Sequence, residues 1–187
     1  MTSYCDEGFY DIHPGSWQSR SWLVIVDADA VMEDAIDITL DVVAQECDTD
    51  GSVFSSTTVC DDPGILRELK SHWENDSTSR NGVQLVTTRN FDNSAIGCGY
   101  ILGISDPEDW AYTAVKAGHT SHLQGVLGAH ELGHNMYGEH DDADSWWDWG
   151  CFCTKSTIMY HTLSSNTIDE YSSTNYNTIR TEAEAEL

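Results

Sequence analysis

Residues 130–141 read HELGHNMYGEHD, and the placing of three histidines and one acid in this stretch organises the interpretation of everything around it. His130 and His134 are four apart, so on a helix their imidazoles leave the same face one turn apart and can hold one metal ion between them. Glu131 lies about 100° further round such a helix, beside the ion rather than on it, where its carboxylate can accept a proton from water. If the helix ran on, His140 would sit about 15 Å along the axis from His130, too far to reach the same ion. The chain must therefore turn back after His134, and Gly138 is expected to make the turn because glycine adopts positive φ at little cost. Three neutral imidazoles with a fourth position open to water form the donor set of a catalytic zinc site. The metal lowers the pKa of that water towards about 7, and Glu131 is placed to act as general base.

The pattern resembles that of the metzincin metallopeptidases, H-E-x-x-H-x-x-G-x-x-H followed by a Met-turn. His130, Glu131, His134 and His140 fall on the four functional positions, and Ser156–Tyr160 (STIMY) puts Met159 where the Met-turn belongs. Asp141 directly after the third histidine and the wording HELGHN are most similar to the adamalysin (reprolysin) branch, as is the stretch from Gln84 to Gly103, QLVTTRNFDNSAIGCGYILG. The chain departs from the family at two places. Tyr137 stands at the family glycine, with Gly138 one residue later, and Thr157 and Tyr160 flank Ile158 and Met159 where adamalysins carry Cys and Pro.

The resemblance implies a zinc-dependent endopeptidase of α+β class: a twisted mixed β-sheet with helices, an active-site helix, and a smaller irregular C-terminal subdomain. Residues 1–187 would form one catalytic domain, divided near residues 140 and 141. A protein or peptide substrate would lie along an edge strand containing Gly99, Tyr100, Ile101 and Leu102, with Tyr160 and His161 walling the pocket beyond the scissile bond. Two rivals come from other classes. A silent module of the same fold, used for binding or adhesion, has no need of Glu131 together with all three histidines. A zinc amidase acting on small amides would need a closed pocket in place of an open edge strand.

Charge narrows the partners. Thirty-two acidic residues against 8 basic ones give a formal net charge of −24, which argues against nucleic acid and anionic membrane surfaces. Apolar residues make up 40% of the chain, with 7 Trp and 8 Tyr, so the chain has the means to build a core. Acids spread along the whole sequence with few lysines suit a halophilic archaeon, because in molar salt the Debye length falls to about 3 Å and self-repulsion is screened. An ordinary acidic secreted protein is the alternative. The aligned expectation is a monomer.

Six cysteines, with no Cys-x-x-Cys pair, read as disulfides rather than a structural zinc site, and so as an extracellular protein. Cys47 and Cys60 can close a local loop, Cys151 and Cys153 are too close to bridge each other comfortably, and Cys5 is expected in a disulfide. No run approaches the roughly 18 to 20 apolar residues of a membrane span, and residues 1–20 lack the features of a signal peptide. Asp48, Asp50 and Gly51, like Asp142 and Asp144, hint at calcium, but neither stretch has the full binding loop, so solvated acidic loops are expected there. The Trp146, Trp147 and Trp149 cluster is expected to pack over the C-terminal part.

Periodicity places the elements. Ser21–Val26 (SWLVIV) reads as a buried strand and Ala30–Glu46 as the helix after it. Residues 48–64 read as a weak strand between turns, Ile65–Glu74 as a helix, and Val83–Thr88, Ala95–Ile104 and Trp110–Val115 as strands. The glycines in Ala95–Ile104 signal bulges or another backbone close by. A helix from Ser121 to about Met136, opened by a Ser121/Gln124 capping box, carries the metal motif, and Asn175–Leu187 forms a last helix.

Overall fold

Ser21, Val24, Ile25, Ala28, Val31, Met32 and Ile36 are all buried, at helical intervals of three and four, whereas Trp22 and Leu23 between them face solvent. That stripe corrects the strand expected at Ser21–Val26. In the computed structural model the segment lies inside one helix, Trp17–Ile36. Local β-branched character yields to the amphipathic register, which hides one face along the whole length. The helix stops earlier than the Glu46 expected, because Asp37 takes a left-handed conformation (φ 59°) and its N–H returns to Glu33.

The structure describes residues 1–60, 64–73, 81–91, 95–100, 111–141, 157–160, 163, 167 and 169–185. The elements run β1 (Thr2–Cys5), α1 (Glu7–Ile12), α2 (Trp17–Ile36), β2 (Ala44–Cys47), α3 (Ile65–Trp73), β3 (Val83–Thr87), β4 (Gly97–Gly99), β5 (Tyr112–Lys116), α4 (Ser121–Asn135) and α5 (Ser173–Ala185). The expected strand within residues 48–64 does not form in the described part, although Phe54 and Val59 from that segment are buried.

The sheet order is β2-β1-β3-β5-β4. All pairs are parallel except β4 on β5, which is antiparallel and leaves β4 at an edge. The mixed sheet with helices is the expected α+β class. Its strand β1, between β2 and β3, was not foreseen: it is only four residues long, three of them Thr, Ser and Tyr, and all four are buried. Buried on both faces, such a short strand shows no alternation to detect.

One face carries Tyr4, Leu85 and Ala114 and packs with Leu66, Leu69 and Trp73 of α3. The opposite face carries Cys5, Val86 and Val115 and meets Val24 of α2 and Leu127 of α4. Asp6, fully buried, ties the C-terminal ends of β1 and β3 together: it caps α1 through the Phe9 N–H (2.9 Å) and accepts from Thr87 Oγ1 (2.6 Å) and Arg89 Nε (3.0 Å).

Cys5 pairs with Cys47 and Cys60 with Cys98, which corrects the Cys47–Cys60 loop. Parallel pairing of β1 and β2 sets Cys5 directly opposite Cys47, so sheet register rather than sequence proximity selects the partner. Cys151 and Cys153, the tryptophan cluster, Asp142 and Asp144 lie outside the described residues. No helix among the described residues is long and apolar enough to cross a membrane.

Candidate active site

The helix bearing the motif is buried from Gln124 to Asn135 without a break. It achieves this by letting α2 come unusually close: a Cβ on Gly125 would stand 2.4 Å from the Asp27 carbonyl oxygen, and one on Gly128 would stand 2.7 Å from Ala28 Cβ. The capping box expected at its start is absent. Thr120 is the N-cap residue, and Ser121, already in the first turn, donates to Asp27 Oδ1 at 2.7 Å.

After Met136 the chain turns as the tripod requires, but the turning residue is Tyr137 (φ 60°), not Gly138. The family glycine position thus keeps its left-handed backbone with a tyrosine in it. Gly138 is needed for a different reason. A Cβ there would meet the Gly133 carbonyl oxygen at 2.8 Å, and the Gly138 N–H bonds to that same oxygen. A left-handed non-glycine residue costs about 1–2 kcal/mol, against which glycine loses about 0.5–1 kcal/mol of extra chain entropy. Tyr137→Gly is therefore expected to raise stability by up to about 1 kcal/mol and Tyr137→Val to lower it by at least about 1 kcal/mol, read by denaturant titration.

The turn brings the three histidines together. Their Nε2 atoms form a triangle with sides of 3.2 Å (His130 to His134), 3.1 Å (His134 to His140) and 3.2 Å (His130 to His140). Nitrogens about 2.0–2.1 Å from one tetrahedral zinc lie about 3.3 Å apart, so the triangle has the size of a zinc face. The proton positions agree. His130 Nδ1 bonds the Ile158 carbonyl at 2.7 Å and His134 Nδ1 the Gly138 carbonyl at 2.8 Å. A carbonyl oxygen only accepts, so both Nδ1 atoms carry the hydrogen and both Nε2 atoms present lone pairs to the centre. Lone pairs converging at this distance repel unless a cation lies among them, and the donor set fits zinc.

Burial drives His130 down to about 3, helped by the neighbouring His134, and lowers His134 as well. Each imidazole is therefore neutral in the folded chain at pH values where it would be charged in the unfolded one. Between pH 6.5 and about 3 the unfolded state binds more protons, so the metal-free protein loses stability as pH falls through that window. Melting followed from pH 7 to pH 4 after chelation should show this decline, flatter in His130→Gln.

Glu131 is buried on the sheet side of the helix, and burial raises its carboxyl well above the usual carboxylate range; a cation at the three histidines would oppose that shift. The carboxylate packs on β4: a Cβ on Gly97 would stand 2.4 Å from Glu131 Oε1, and one on Gly99 2.7 Å from the Glu131 carbonyl oxygen. Gly99 therefore marks close approach by another backbone, one of the two readings open from the sequence, whereas Gly97 makes room for the Glu131 side chain. Lys116 N–H bonds Ile96 O, and Tyr100 N–H bonds Tyr112 O. By strand alternation the backbone groups of Gly97 and Gly99 turn away from β5, to the side where no strand pairs with β4 among the described residues. Tyr100 faces inward, its carbonyl also accepting from Asn135 Nδ2 at 2.8 Å.

Met159 is fully buried, and its Sδ would lie 2.7 Å from a Cβ on Gly133, beneath the motif helix. The Met159 carbonyl accepts the Asp141 N–H at 2.9 Å, and Asp141 bridges in parallel to Tyr160. Asp141 Oδ2 also accepts from the Thr157 hydroxyl. Sequence reasoning missed Gly97 as the seat of Glu131 and Ile158 as the acceptor that orients His130. It also missed Asn135 as the tie to the edge strand. Ile101, Leu102 and His161 lie outside the described residues. Asp48, a calcium candidate, has both carboxylate oxygens occupied by the Ser52 and Val53 N–H groups.

A motif helix packed on the edge strand of a mixed sheet, with a three-histidine cluster closed by a turn, defines a metallopeptidase of metzincin type. The family model Reprolysin_5, metallo-peptidase family M12, matches residues 3–176, and the chain belongs to that family. Among solved structures, a chain from "Structure of a chaperone-substrate complex" superposes with a TM-score of 0.68 at 14% identity. The match covers 99% of this chain and 33% of that one, so this chain spans about a third of its length and shares its fold.

Proposed function

We propose that this chain is a zinc-dependent endopeptidase in which His130, His134 and His140 hold the metal and Glu131 is the general base, with residues 1–187 acting as one catalytic domain. The observation that carries the reading is the triangle of Nε2 atoms 3.1–3.2 Å apart, with two of the rings locked by carbonyl acceptors into the ligating tautomer. A zinc ion bound there supplies Lewis acidity towards a peptide carbonyl and lowers the pKa of water. Glu131 takes the proton of the attacking water on its carboxylate and returns it to the departing amine nitrogen.

The substrate is an extended protein or peptide segment that adds to the sheet at β4, pairing with the outward N–H and C=O groups of Gly97 and Gly99. Tyr100, Ile101, Leu102, Tyr160 and His161 are the further residues assigned to contact that segment, the last two beyond the scissile bond. Met159 supports the histidines from below. An edge strand to which an extended segment can add favours polymeric substrates over small amides. The two disulfides among the described residues support a secreted, extracellular setting.

The acidic surface is adapted to concentrated salt. The melting temperature should accordingly rise from dilute buffer to molar salt, and a chain equally stable in both would remove that part of the reading. Casein cleavage at high salt tests the activity. Wild-type protein should cleave and carry one zinc per chain, chelation should abolish cleavage, and added zinc should restore it; cleavage that persists after the zinc is gone rejects the mechanism.

A further inference from the structure

His130 and His134 stand on a buried helix, whereas His140 is exposed and follows a left-handed tyrosine in a segment with no regular structure. Something must hold that segment in place. Asn175, in the first turn of α5 and only 4% exposed, touches the residues on both sides of His140. Its Oδ1 accepts the Glu139 N–H at 3.1 Å, and its Nδ2 donates to the Glu139 carbonyl at 2.9 Å and to Asp141 Oδ1 at 2.8 Å. The side-chain amide pairs with the Glu139 backbone in both directions, as a neighbouring strand would. Asp141 Oδ1 also accepts the Ser172 hydroxyl at 2.6 Å, so the start of α5 grips the segment twice.

We propose that Asn175 is a positioning residue for His140: its amide clamps Glu139 and Asp141 so that the third imidazole is presented to the metal already in place. The proposal rests on the zinc reading above. With the clamp, the loop is ordered before the ion arrives; without it, that ordering is required at binding and the affinity falls.

The test measures zinc affinity in concentrated salt by competition with a chromogenic chelator, alongside melting of the metal-free proteins. Asn175→Ala should weaken zinc binding by about 10- to 100-fold. The control is Arg180→Ala, on the same helix, which removes the bonds of Arg180 to the Ile36 carbonyl, Glu184 and the Tyr176 hydroxyl, none of which is to Glu139, His140 or Asp141. It should change zinc affinity by less than about threefold, whatever it does to melting. Asn175→Asp keeps the acceptor for the Glu139 N–H but loses the donor and sets a second carboxylate against Asp141, so it should weaken zinc at least as much. It decides the matter by the same criterion if Asn175→Ala does not fold. Wild-type-like affinity in the Asn175 variants, or equal weakening in Arg180→Ala, overturns the clamp while leaving the zinc site standing. A wild-type protein that binds no zinc overturns the site itself.

Discussion

Replacing Glu131 by Gln is expected to lower kcat/KM on a protein substrate by about 100- to 10,000-fold, the range that a general base contributes, while zinc stays at one per chain. The substitution is chosen for its shape. The Glu131 carboxylate is packed against the Gly97 position of β4, and glutamine fills the same space, so the edge strand and the helix need not move. What disappears is the capacity to accept a proton. Since the proposed ligands are the Nε2 atoms of the histidines and not Glu131, metal content should not follow activity down. Steady-state cleavage with parallel metal analysis separates the two, and a variant that keeps its zinc and cleaves within about tenfold of wild type would remove Glu131 from the base role.

The second large effect is expected at His140. His140→Ala should weaken zinc binding by more than about 100-fold, beyond what losing an outer hydrogen-bond partner costs, and cleavage should vanish at limiting zinc. His140 isolates the effect better than its partners do. It is exposed, whereas His130 and His134 are each 5% exposed and their removal would leave holes beneath the motif. The metal-free variant should therefore melt close to the metal-free wild type. The stabilisation conferred by zinc should shrink by about 2.7 kcal/mol for each hundredfold of affinity lost. A variant that melts early without zinc would show instead that the histidine is structural.

The site was legible because its chemistry leaves few choices: one ion demands imidazoles at fixed spacing, and three histidines in HELGHNMYGEHD meet it, with Glu131 beside them. α4, α3, β3 and α5 were legible from apolar spacing and punctuation. What stayed hidden depends on contacts between distant parts of the chain. SWLVIV carries strand-forming residues, yet burial of Ser21, Val24, Ile25 and Ala28 on one stripe makes it helix. Thr2–Cys5 is too short and too uniformly buried to show a period, and the Cys5–Cys47 bridge follows from its register. Gly97 and Gly99 did announce a close approach, without naming Glu131 as the neighbour. Tyr137 was misjudged because glycine is the easy solution for positive φ, and here the turn is imposed on a residue that resists it. Asn175 gave no signal, since an asparagine near a helix start reads as an ordinary capping residue.

X-ray absorption at the zinc edge of the purified wild-type protein addresses the central claim most directly, because it reports the atoms around the metal without reference to activity. Three imidazole nitrogens with an oxygen, at about 2.0–2.1 Å, are the result predicted from the triangle of His130, His134 and His140. Sulfur scattering near about 2.3 Å, or a first shell with fewer than three imidazoles, would contradict it.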